Sequence, residues 1–294
     1  MQQTLALLVD GLLIGSILAS LAIWLRIASR MHGLPWRLKW EGLLPPRRRP
    51  APFWTPAEAV MMFGLTMVFS LVFIELAARA GWVLRPPIEE ASEAAQANSR
   101  SVSILVNTAA GLVSTIIIVL WLRLFDADAR RKLGLRLSVS EAWLGLKGSL
   151  LILPPVLVIS ALAAQLVEYE HPVLDSLAEM KNPFGLLAIF VGTAVITPVV
   201  EEVLLRGLFQ GGLQRLADAG GEEGKRWRPQ AWWPIGVTSL LFALMHVGQG
   251  AAPIPLFLLS VGLGYLYRQT GSLTAPIVVH MVLNGMTLTV ALLR

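Results

Sequence analysis

Apolar runs of about twenty residues recur from one end of this sequence to the other, and that recurrence constrains the fold more than any other feature. A run of that length matches the hydrocarbon thickness of a bilayer when it is coiled as a helix. Several in series leave no room for a water-soluble core wrapped in polar surface. The composition agrees, with 15% charged and 55% hydrophobic residues among 294, where a soluble domain carries about 25% charged residues. In lipid every backbone N–H and C=O must be satisfied within the protein, so the runs are read as helices. The expected fold is an all-α polytopic membrane protein of about eight transmembrane helices, at roughly 4–25, 57–80, 102–122, 143–167, 184–208, 231–247, 253–268 and 274–293.

Pro253 and Pro255 stand where a helix can begin without losing a hydrogen bond, so the seventh run is expected to start there. The first run lacks a basic leader and a small-residue cleavage site, and is read as a retained span. There is no cysteine, which excludes disulfides, thiolate metal sites and thioether-linked lipids on this chain. The net charge of +5 comes with no basic stripe and no nucleic-acid-binding motif, so no nucleic acid is expected as a partner. The charges instead follow the loops. The first loop carries seven Lys and Arg, the third and fifth five each and the seventh one, while the even loops together carry four. By the positive-inside rule the odd loops face the cytoplasm, in a protein integral to the cell membrane. "PPRRRPAP", Pro45 to Pro52, is a stiff basic linker on this reading, and Trp24, Trp54, Trp82 and Trp143 are interfacial anchors. "WRPQAWWP", Trp227 to Pro234, reads as part of an interface belt or as a substrate lip.

Three polar sets break the last four runs. In "VITPVVEEVLLRGLFQ" the spacing of four puts Glu202 and Arg206 on one helix face as a pair. Glu201 is turned about 100° away and is left to face something else. In "LLFALMHVGQG" Phe242 precedes His246 by one turn, and the glycines after the histidine suggest a helix end near a polar opening. In "APIVVHMVLNGM" His280 and Asn284 share a face. Each set alone has a structural reading, as an ion network or as hydrogen-bonding glue between helices. Together they supply a carboxylate, two imidazoles and a carboxamide inside a membrane, which suits hydrolysis: a base to activate water, and donors for an oxyanion. Glu75 and Arg79, also four apart, are expected to form a structural pair, and His32 and His171 to be solvated.

The ordered set E-E-x-x-x-R, F-x-x-x-H and H-x-x-x-N resembles the CAAX-protease and bacteriocin-processing family of intramembrane endopeptidases, and the run from Gly262 to Asn284 resembles that family's final-motif region. The resemblance spans roughly residues 184–290. It divides the chain into N-terminal helices with basic loops over 1–182 and a protease core over 183–294. It implies Glu201 as the base that activates water, helped by His246, with His280 and Asn284 holding the oxyanion. Glu202 and Arg206 would brace the helix and Phe242 would pack beneath the site. Substrates would be peptides or proteins in or at the bilayer, such as prenylated tails or leader peptides. No cofactor is required, but a divalent metal is left open, with Glu201, His246 and His280 as the zinc set. Cleavage is expected toward the cytoplasmic side, with Glu201 one to two turns beneath that surface. The alternatives are a non-catalytic membrane scaffold or immunity factor and, with less in its favour, a proton-coupled transporter. The transporter would call for matching repeats in the two halves, and none is visible.

Overall fold

The computed structural model describes residues 2–85, 91–167, 183–218 and 226–293, together with 173, 176 and 177. The chain is an all-α polytopic membrane protein. Its long helices are α1 (Gln2–Arg30), α3 (Pro56–Arg79), α4 (Glu93–Phe125), α6 (Val139–Ala163), α7 (Pro183–Ala217) and α10 (Thr274–Leu293). Short helices α2 (Trp36–Leu43) and α5 (Ala129–Leu133) lie in loops. Helices α8 (Trp233–Leu244) and α9 (Pro253–Thr270) form an antiparallel pair between α7 and α10.

Among the described residues six helices are long and apolar enough to cross a membrane, against the eight expected. The difference lies in α8 and α9. Helix α8 has 12 residues, about 18 Å against a hydrocarbon core of about 30 Å. Helix α9 ends in Tyr265, Tyr267, Arg268, Gln269 and Thr270, which cost it the required apolarity. Because α8 and α9 enter and leave on the same side, counting them as spans or as a dipping pair leaves every other loop where it was. Helix α7 also runs nine residues past the expected end at 208, to Ala217.

Local signals account for the helix ends. Thr55 and Glu58 close a capping box on α3, with Pro56 in the first turn. Pro253 opens α9 as expected, and Gly271 ends it at φ 65°. The helices pack through small residues where they come closest. A Cβ at Gly145 of α6 would stand 2.7 Å from the Ala275 carbonyl oxygen of α10, so only glycine permits that approach. Leu7, Leu12 and Leu18 of α1 are widely exposed, as lipid-facing side chains are.

The first, third, fifth and seventh loops gather on one face. Arg49–Pro50 (β1) pairs antiparallel with Arg226–Trp227 (β2). The Leu273 N–H donates to the Gly134 carbonyl at 2.9 Å, and the Arg47 N–H to that of Gln269 at 2.8 Å. Arg268 donates to the carbonyls of Pro229, Gln230 and Ala231 and lies over the Trp232 ring at 4.0 Å. "PPRRRPAP" is thus stitched into this face rather than running free over it: Arg49 is buried against Tyr267 and Gln214. Trp54, expected at the lipid interface, is fully buried and donates to the Leu208 carbonyl. Trp232 belongs to the same knot, so "WRPQAWWP" serves loop packing, and none of its residues lines the large cavity of the bundle. Glu75 does pair with Arg79 at 2.7 Å, but in an exposed position one turn from the helix end. His171 and Lys225 lie outside the described residues.

Candidate active site

The polar residues of α7, α8 and α10 meet midway along the bundle. Glu202 is fully buried and its Oε2 lies 3.2 Å from Arg206 Nε, the pair expected from their spacing. Proximity here is not alignment: Arg206 Nε and Nη1 have no well-directed hydrogen bond, and the guanidinium is anchored instead through Nη2 to Ser260 Oγ at 3.1 Å. The second oxygen of Glu202 meets His280 Nδ1 at 3.1 Å. On the other side of the same ring, His280 Nε2 faces Glu201 Oε2 at 3.5 Å. The neighbouring glutamates, turned apart on their helix, grip one imidazole from two sides. His280 thus presents Nδ1 to Glu202 and Nε2 to Glu201.

Glu201 is expected to be helped by His246; the structure adds His280 as its close neighbour and puts His246 on the wall of the same cavity. His246 sits just past the end of α8, as anticipated, and its Nδ1 lies 2.7 Å from the Phe242 carbonyl oxygen, a contact that turns Nε2 outward. Phe242 joins the two histidines. Its fully buried ring meets His246 edge-on at 4.7 Å and His280 at 5.8 Å, with the Arg206 guanidinium 5.3 Å from its centre.

Asn284 stands one turn beyond His280 and donates through Nδ2 to the Thr193 carbonyl at 2.9 Å. Thr193 is a residue that the sequence reading missed, and its role follows from a proline. Helix α7 widens to a π turn over Gly192–Ile196, where the Thr197 N–H bonds the Gly192 carbonyl instead of that of Thr193. In that register the Thr193 carbonyl would take its bond from residue 198, which is Pro198 and has no N–H. The orphaned acceptor is satisfied by the Asn284 amide. The signal was present as "ITP" in the middle of an apolar run, but it marks a displaced carbonyl only once a partner helix is placed beside it.

Glu201, Phe242, His246, His280 and Asn284 all line one cavity of about 780 Å³. Its walls are otherwise mostly apolar, with Asn107, Thr108 and Gln249 among the polar exceptions. Glu201 lies about 9 Å along α7 from Gly207, the residue that packs on Leu133 and Leu273 of the basic face. The direction of the hollow was not foreseen. It continues along the halves of the helices remote from the basic loops, past Ile104, Ser160 and Ala291, and no residue of those loops lines it. The zinc set is not assembled. Among the described residues no group of three or more His, Cys, Asp or Glu is arranged to hold a metal ion.

Residues 183–286 match the family model described as Type II CAAX prenyl endopeptidase Rce1-like. The matched stretch runs from the first residue of α7 into the second half of α10, and so includes Glu201, Phe242, His246, His280 and Asn284. No curated protein and no solved structure matches the chain significantly.

Proposed function

We propose, for a chain that belongs through residues 183–286 to the CAAX-protease family of intramembrane peptidases, that Glu201 is the base of a peptide-bond hydrolysis carried out inside the cavity. The observation behind this reading is the contact of Glu201 with the Nε2 side of His280 on the wall of a hollow large enough for a peptide segment. Glu201 takes a proton from a water molecule, and the water oxygen attacks the scissile carbonyl carbon. His246, with Nδ1 held by the Phe242 carbonyl, offers Nε2 to the same water. As the carbonyl oxygen gains charge it is met by the Nε2 side of His280 and by the second amide hydrogen of Asn284. His280 donates there when it carries both protons, one toward Glu202 and one toward the cavity. Collapse of the tetrahedral centre breaks the C–N bond. The proton held by Glu201 passes to the leaving nitrogen, giving a carboxylic acid and an amine and restoring the base; the acid's remaining proton then moves to the amine, leaving carboxylate and ammonium products.

Glu202 and Arg206 act through His280 as positioning residues. A buried ion pair contributes less to net stability than its contacts suggest, but it fixes geometry. The substrates we propose are membrane-associated peptides or proteins, prenylated tails and leader peptides among them. We take residues 183–294 as the protease core and 1–182 as helices that complete the cavity wall. Each step of this reaction uses the chain's own groups, Glu201, His246, His280 and Asn284. The lopsided loop charges support a cytoplasmic placement of the basic face, with Glu201 about two turns inside it.

Glu201→Gln tests the assignment directly. It keeps the shape and removes the base, so peptide cleavage in purified proteoliposomes should fall by at least the factor of about 10²–10⁴ that general bases supply, with an unchanged melting temperature. Cleavage at the parental rate would remove Glu201 as the base. A cellular phenotype that survives the substitution would mark the chain as a scaffold instead.

A further inference from the structure

A second concavity, of about 520 Å³, opens on the basic face between the end of α4 and the start of α6. Arg123, Arg130, Arg131 and Arg136 surround it, with Asp128 as its one carboxylate and Ala127 and Leu135 completing the wall. All four arginines are exposed, and none of their side chains makes a hydrogen bond, ion pair or ring contact among the described residues. Lys132, the remaining cation of this loop, is different: its ammonium is already taken by Asp126. Charge bias alone accounts for how many cations the loop carries. It does not account for four unpartnered guanidinium groups set around one hollow, an arrangement that concentrates positive potential there and favours an anion.

The surroundings indicate what supplies that charge. Leu124 and Phe125 at the end of α4, and Leu137 and Val139 leading into α6, are exposed apolar side chains flanking the arginines. They belong to two membrane-spanning helices, so the hollow sits where the hydrocarbon gives way to headgroups. A free phosphate would use the arginines and leave the apolar flank bare. A lipid would use both, with its acyl chains along Leu124 and Phe125 and its phosphate among the guanidinium groups, whose planar forks suit paired phosphate oxygens. Basic pockets between spanning helices on the cytoplasmic side are a recurrent form of lipid site. We infer that this concavity binds the phosphodiester headgroup of an anionic membrane lipid.

Native mass spectrometry of the full chain in detergent, titrated separately with phosphatidylglycerol, phosphatidylcholine and inorganic phosphate, tests the site. Phosphatidylglycerol should be retained in preference to phosphatidylcholine, and inorganic phosphate at the same concentration should leave no adduct. Arg130→Ala with Arg131→Ala should weaken phosphatidylglycerol retention about thirtyfold, at roughly fivefold per charge. The control pair Arg37→Ala with Arg48→Ala, on the same face but outside the hollow, should change it little. Equal losses in both pairs would mean diffuse attraction and overturn the site. Retention of phosphate alone would overturn the lipid as its ligand, and retention of phosphatidylcholine would overturn the charge recognition. Should the double variant fail to fold, Arg136→Ala replaces it, with an expected loss of about fivefold.

Discussion

Phe242 shows how much one side chain can carry here. Its ring is fully buried, touches both candidate catalytic histidines and lies beneath the Arg206 guanidinium. Truncation to alanine should therefore act twice. Removing a buried aromatic ring costs about 3–5 kcal/mol, readable as a lower melting temperature, and the two imidazoles lose a common support. Phe242→Leu should recover much of the melting temperature while cleavage stays depressed, because leucine fills space without the flat face that sets the ring angles. Activity restored in parallel with stability would mean that the ring serves packing alone. At this scale the sequence was readable where spacing acts within one helix. Four residues apart sufficed for Glu202 with Arg206, for Glu75 with Arg79 and for Phe242 with His246. It was not readable where two helices must be docked. The contact of Glu201 with His280 depends on how α10 docks on α7, and the burial of Trp54 on a loop folding back onto α7.

Among the elements, α7 matters most, because it is not a uniform helix. It opens into π turns over Gly192–Ile196 and again over Val203–Gln210, on either side of the two glutamates. Each wide turn rotates the stretch of helix beyond it, so the direction in which Glu201 and Glu202 point is set by the defects beside them as much as by their position in the sequence. Pro198 is the cause closest to hand. Pro198→Ala would restore an N–H able to bond the Thr193 carbonyl and so compete with the Asn284 amide. Helix stability should hold or rise, since proline is disfavoured in a helix interior by about 3 kcal/mol. The cleavage rate should fall, mainly in kcat, as Asn284 loses its fixed orientation. An unchanged kcat with a raised melting temperature would separate Asn284 from the reaction. The spans themselves were legible as apolar runs, except that α8 and α9 read as full crossings: hydropathy sees their leucines but not the short length of one or the polar end of the other.

The whole molecule has two unlike faces. One is closed by four loops that hydrogen-bond to each other, and the other is where the hollow leads. Orientation can be measured cleanly because the chain has no native cysteine. A single cysteine at Arg130, exposed on the stitched face, should react with an impermeant thiol reagent only from the cytoplasmic side of sealed vesicles. One at Gln249, at the tip between α8 and α9, should react only from the opposite side or not at all. Labelling of Arg130→Cys from outside the cell would invert the topology while leaving the site geometry intact. The alternation of basic and acidic loops made the sidedness of the loops readable. The direction of the hollow was hidden, since it depends on which halves of six helices stand apart, and no single run records that.

The knot formed by Arg49, Arg268 and the Gly134–Leu273 contact has a consequence for traffic through the enzyme. Among the described residues none of that face lines the hollow, so under the proposed function the chamber is a cul-de-sac on that side. A substrate entering from the far end would then bring a short tail, not the middle of a long chain, beside Glu201, and the severed stub would back out by the door through which it came.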